Sequence, residues 1–121
     1  MTDFALRRAR LKHLFTQAIT AYGTKDFDTF ATFVHPQAEF DWPYLPLKEF
    51  PDRMVGRDAF IAMSSAGMAD CDGYHHQVDR FYDMADPDMV LVEYHSGTTL
   101  RSTGQAYANK YLGILRFEGD L

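Results

Sequence analysis

A two-residue rhythm in the last third restricts this chain more than any other feature. Met89–Phe117 reads MVLVEYHSGTTLRSTGQAYANKYLGILRF, two apolar-alternating runs joined by a middle rich in Gly and Thr. In the second run Tyr107, Asn109, Tyr111, Gly113, Leu115 and Phe117 share one parity, while Ala106, Ala108, Lys110, Leu112, Ile114 and Arg116 share the other. Strand side chains alternate between faces, so each set lines one face of a sheet. The first set puts two tyrosines and an amide among apolar residues. That suits the wall of a ligand pocket, mostly apolar with a few placed polar groups. It also suits a half-buried sheet face whose tyrosine hydroxyls reach water.

Upstream the period changes. Leu11, Leu14, Phe15, Ala18, Ile19 and Tyr22 fall at i, i+3, i+4, i+7, i+8 and i+11, the apolar stripe of a helix over residues 3–22 that Thr2 or Asp3 caps and Gly23 stops. A shorter helix follows, with Asp26 as N-cap, Phe27, Phe30, Ala31, Phe33 and Val34 on its apolar side and Pro36 as terminator. Residues 38–42 read as a short strand. Pro43–Val55, with three prolines and no period, reads as an ordered loop over one mouth of the domain. Gly56-Arg57-Asp58 opens a third helix that fades at Gly67. A turn at residues 70–73 leads to a strand at 74–82, a turn at 83–88 and a strand at 89–95. Gly97 and Gly104 bracket a bulge or a hairpin before the last strand at 107–117. Helices first and antiparallel strands later give an α+β domain with helices on one face of a curved sheet. A length of 121 residues fits one domain, residues 1–121.

Composition narrows the function classes. A net charge of −5 without an offsetting basic surface argues against nucleic-acid and anionic-membrane partners. The single cysteine, Cys71, allows no disulfide within the chain, and no apolar run reaches a membrane span, so the cytoplasm is the default location. There is no G-x-G-x-x-G, P-loop, C-x-x-C, H-E-x-x-H or Gly-x-Ser-x-Gly, and no cofactor is expected. His75 and His76 are adjacent on a strand and point to opposite faces. Glu93 and His95 share a face but lack a local third ligand, so no metal is expected. Asp41 lies beside Trp42, where desolvation could raise its pKa and suit it to acid or base work; a solvated strand end is the alternative. Cys71, between Asp70 and Asp72, is a poor nucleophile.

The segments AEFDWPYLP after two short helices, GRDAFIAM, and DPDMVLVEYHSGTTLRSTGQAYANKYLGILRFEGD carry a resemblance over nearly the whole chain. The chain resembles the SnoaL-like branch of the nuclear transport factor 2-like superfamily, which includes ketosteroid isomerase, limonene epoxide hydrolase and scytalone dehydratase. The resemblance implies an α+β conical barrel, a curved antiparallel sheet wrapped around the N-terminal helix with one deep pocket. It also implies a homodimer and a further strand after Asp120, so the last strand is expected to be missing here and residues 107–117 to have an open edge. The isomerase's catalytic set does not carry over. Its base aspartate directly precedes a proline, where this chain has Trp42, with Asp41 one place early. Its first-helix tyrosine falls at Ala18 and its late-strand aspartate at Gly113. The histidine of the phenazine-biosynthesis relatives falls at Met63. What remains is a pocket for a small apolar or partly polar organic molecule, lined by Phe15, Phe40, Trp42, Met63, Asn109 and Tyr111. Asp41, His76 or His95 would supply general acid/base chemistry for an isomerase, a cyclase or an epoxide-opening hydrolase. The competing reading is a non-catalytic binding or dimerisation module of the same fold.

Overall fold

The computed structural model describes residues 2–43 and 51–121. The chain runs α1 (Asp3–Gly23), α2 (Phe27–Ala31), β1 (Glu39–Asp41), β2 (Arg53–Val55), α3 (Arg57–Gly67), β3 (Cys71–Asp83), β4 (Met89–Leu100) and β5 (Ala106–Arg116). The Thr2 hydroxyl accepts from the Ala5 N–H at 3.1 Å and closes the start of α1. The helix ends at Gly23, and Lys25, at φ 63°, turns the chain towards α2. Asp26 caps α2 through the Thr29 N–H at 3.3 Å.

The described residues form two sheets, a β1–β2 pair and an antiparallel β3–β4–β5 sheet that curves without closing. In the larger sheet Val90, Val92, Tyr94, Ser96 and Thr98 of β4 pair with Leu115, Gly113, Tyr111, Asn109 and Tyr107 of β5, so these residues share the concave face. α1 packs into that face. Leu11, Leu14, Phe15 and Ile19 form one buried cluster with Val90, Val92 and Phe117. Ala21, Phe30 and Phe60 form a second, with Phe40, Trp42, Met54 and Met63 against it, and Tyr22 touches both. Ala18, expected in the core, is half-buried.

The basic run near the start has a structural use. Arg7 reaches Asp88 at 3.0 Å, Lys12 reaches Asp83 at 2.6 Å and Arg10 reaches Asp120 at 2.9 Å. Arg8 donates to the Met84 carbonyl at 2.9 Å. These contacts tie the first half of α1 to the β3–β4 turn and to the segment after β5.

Several element boundaries differ from the sequence reading. Cys71, Asp72 and Gly73 open β3 rather than forming a separate turn; Gly73 takes φ 62° at a bulge between Asp72 and His75. Arg53–Val55, read as loop, pairs with β1. The rest of that loop, residues 44–50, lies outside the described residues. Gly97 sits within β4, and Gly104, at φ 71°, closes the β4–β5 hairpin by donating to the Leu100 carbonyl at 2.7 Å. β5 has β4 on one side and no strand of the described residues on the other. Among the described residues no helix is long and apolar enough to cross a membrane.

Candidate functional site

A histidine surrounded by phenols occupies the concave face where α1 ends. β3 carries a second irregularity between Val78 and Arg80, so His76 and Phe81 both face inward although their parity differs. His76 retains only 9% of its surface. Its ring lies 4.7 Å from Tyr74, 5.2 Å from Tyr22, 6.0 Å from Tyr111 and 6.3 Å from Tyr94, centroid to centroid. Its Nδ1 is buried and has no hydrogen-bond partner among the described residues. Burial, helped by His75 and His95, pushes its pKa down to about 4, so the ring is uncharged near neutral pH.

Two hydroxyl pairs fix the surroundings. The Tyr22 hydroxyl donates to Ser64 Oγ at 2.9 Å, and Ser96 Oγ pairs with the Tyr111 hydroxyl at 2.8 Å. Ser64 and Ser96 are buried, so each satisfies a polar group that would otherwise be orphaned. Burial raises the pKa of Tyr22, Tyr74 and Tyr94, which holds these phenols in the O–H form. Stacked rings continue from this cluster. Tyr22 lies 5.7 Å from Phe60, Phe60 lies 4.0 Å from Phe40, and Phe40 lies 6.0 Å from Trp42, all within 19° of parallel.

The expected site residues divide. His76 and Tyr111 lie together, and Phe40, Trp42 and Met63 belong to the adjoining aromatic cluster. Phe15 instead fills the closed core, edge-on to Phe81 and Tyr94, because α1 presents that position to the middle of the sheet. Asp41 is exposed and pairs with Arg53 at 3.6 Å, since the β1–β2 pairing places Arg53 opposite it. His95 is on the convex face, with Nδ1 2.7 Å from Asp79. Asn109 has the inward parity but is exposed, donating to the Tyr107 hydroxyl at 3.2 Å beyond the cover of the helices. The sequence reading left out Tyr22, Ser64, Tyr74, Tyr94 and Ser96 as site residues. Tyr94 and Ser96 carried a usable signal, the same two-residue spacing on β4. Ser64 carried none.

One recess lies between α1 and α2 and includes His13, Gln17, Thr20 and Asp26. Another is lined by Asp79, Glu93, Lys110 and Leu112 together with Tyr94 and Tyr111. Among the described residues no group of three His, Cys, Asp or Glu side chains could hold a metal ion.

The profile of the SnoaL-like domain matches residues 15–121. A candidate isomerase from Bacillus subtilis superposes with a TM-score of 0.82 at 17% identity, over 94% of this chain and 81% of that one. An LEH-like epoxide hydrolase from M. tuberculosis gives 0.72 at 13% identity, over 93% and 76%. A hypothetical protein with a ketosteroid isomerase-like fold from Catenulispora acidiphila DSM 44928, in complex with trimethylamine, gives 0.70 at 16% identity, over 88% and 77%. At such identities the likeness is one of fold. No curated protein matches the chain by sequence.

Proposed function

This chain belongs to the SnoaL-like domain family, and from that premise we propose that its concave face binds a small, uncharged, mostly apolar molecule through an oxygen acceptor. The observation that carries this is His76, an uncharged imidazole enclosed by Tyr22, Tyr74, Tyr94 and Tyr111. No residue of this cluster carries a charge, so a carboxylate or phosphate entering it would lose its hydration with no cation in return. Tyr22 already gives its proton to Ser64, but the other phenols and an imidazole N–H can donate to a carbonyl, hydroxyl or epoxide oxygen.

The chemistry this arrangement favours is polarisation of that oxygen. A histidine whose conjugate acid has a pKa of about 4 is a weak base at neutral pH. As an uncharged N–H donor in a site with little water it stabilises charge developing on oxygen, the demand shared by isomerisation, cyclisation and epoxide opening. Asp41 and His95 lie outside the cluster, which favours a second reading, binding without turnover, in the same site. A second copy of the chain covering Leu112 and Ile114 on the convex face completes the proposal; these two side chains are 66% and 63% exposed.

Calorimetry with a size-matched pair, acetophenone and benzoate, tests the ligand class. The ketone should bind and the carboxylate should not. Tyr111→Phe and His76→Phe should each weaken ketone binding by about 1–3 kcal/mol, the worth of a hydrogen bond in a buried site. Equal binding of benzoate, or unchanged ketone affinity in both variants, would remove the reading.

A further inference from the structure

We infer that Gly23 is a positioning residue for His76: by having no side chain it lets the imidazole seat on the last turn of α1 with Nδ1 sealed and Nε2 left as the proton-bearing nitrogen. This rests on the proposed role of His76 as a donor to the ligand. Gly23 is the last residue of α1, is buried and does not have a positive φ. Backbone freedom therefore does not call for glycine there, and alanine would be the better helix former. Space does call for it. A Cβ on Gly23 would lie 2.7 Å from the His76 backbone nitrogen, 3.2 Å from the His75 carbonyl carbon and 3.0 Å from His76 Nδ1. Two of those atoms are backbone and cannot rotate away. Next along the chain, Lys25 donates through Nζ to the Cys71 carbonyl at 2.6 Å and straps the end of α1 to the start of β3. Helix end and strand are thus held in register at His76.

The seat selects a tautomer. Nδ1 is buried and has no hydrogen-bond partner among the described residues. A buried unpaired N–H is rarer in folded proteins than a buried unpaired acceptor, so the proton goes to the other nitrogen. Nε2–H is then the group His76 offers to a ligand oxygen. Protonating the ring would place an unpaired N–H on Nδ1 as well, which the seat opposes.

Nitrogen-15 NMR of the uniformly labelled full chain at pH 7 reads this without any ligand. The wild type should show His76 with Nδ1 bare and Nε2 protonated. Gly23→Ala should blur the two nitrogens towards an average and move the His76 titration midpoint up by about one pH unit, towards that of an ordinary histidine. Gly67→Ala is the control: it also adds a methyl at a helix end, but that methyl meets no atom of the described residues within 4 Å, so His76 should be unchanged. A folded Gly23→Ala protein with wild-type His76 signals would overturn the inference. If Gly23→Ala does not fold, the wild-type spectrum decides: Nε2–H supports the seat and Nδ1–H overturns it. An Nε2–H spectrum combined with no ketone binding would keep the seat and sink the ligand reading.

Discussion

Lowering the pH should destabilise this protein through one histidine, in a window that separates it from the carboxylates. The ordinary value for His76 is 6.5, and burial lowers it to about 4 in the folded state. Between those values the unfolded chain binds the proton and the folded chain does not, so stability falls as the pH falls. The contribution is fully present above pH 6.5 and is lost progressively down to about pH 4. Each pH unit of that window is worth about 1.4 kcal/mol, so the whole amounts to about 3 kcal/mol at most, with about 2 kcal/mol gone by pH 5. Asp70, Asp83 and Asp120 have pKa values lowered below 3.8, chiefly by side-chain hydrogen bonds from Ser102, Lys12 and Arg10, and their losses fall at more acid pH. Urea unfolding of the wild type and His76→Gln at pH 7, 6 and 5, extrapolated to zero urea, separates the histidine from everything else that titrates. The wild-type curve should fall towards the variant's between pH 7 and 5. Parallel curves would show that His76 is not held neutral by the fold, and the proposed site would lose its central argument.

Leu11, fully buried between α1 and the sheet, should cost about 2–5 kcal/mol when replaced by alanine, read by the same unfolding assay. Asp41→Asn should change neither ketone affinity nor stability by more than about 0.5 kcal/mol, because its contact with Arg53 is an exposed ion pair; a large loss of turnover would return Asp41 to the site. Light scattering at micromolar concentration should find a dimer, and Leu112→Glu with Ile114→Glu should give a monomer; a monomeric wild type would remove the second copy from the proposal.

The sequence alone determined what depends on near neighbours. The helical spacing of Leu11, Phe15 and Ile19 placed all three in the core. The alternation in β5 put Tyr111, Gly113 and Leu115 on one face and left Leu112 and Ile114 exposed on the other. These patterns survive because helix and strand periods are properties of local backbone geometry. The succession of segments was also enough to indicate the family. Tertiary structure decided where the chemistry sits. The β3 irregularity at Asp79 brings Phe81 onto the face of His76, which a strict two-residue rule forbids. Asp41 looked poised beside Trp42, but Arg53, in a segment without period, comes to lie opposite it and holds it in solvent. Tyr22 meets Ser64 across 42 positions of chain, and Gly23 meets His76 across a contact that no local pattern encodes. Such meetings depend on how α1, α3 and the sheet share one interior, and the free energy that selects that arrangement is spread over the whole core.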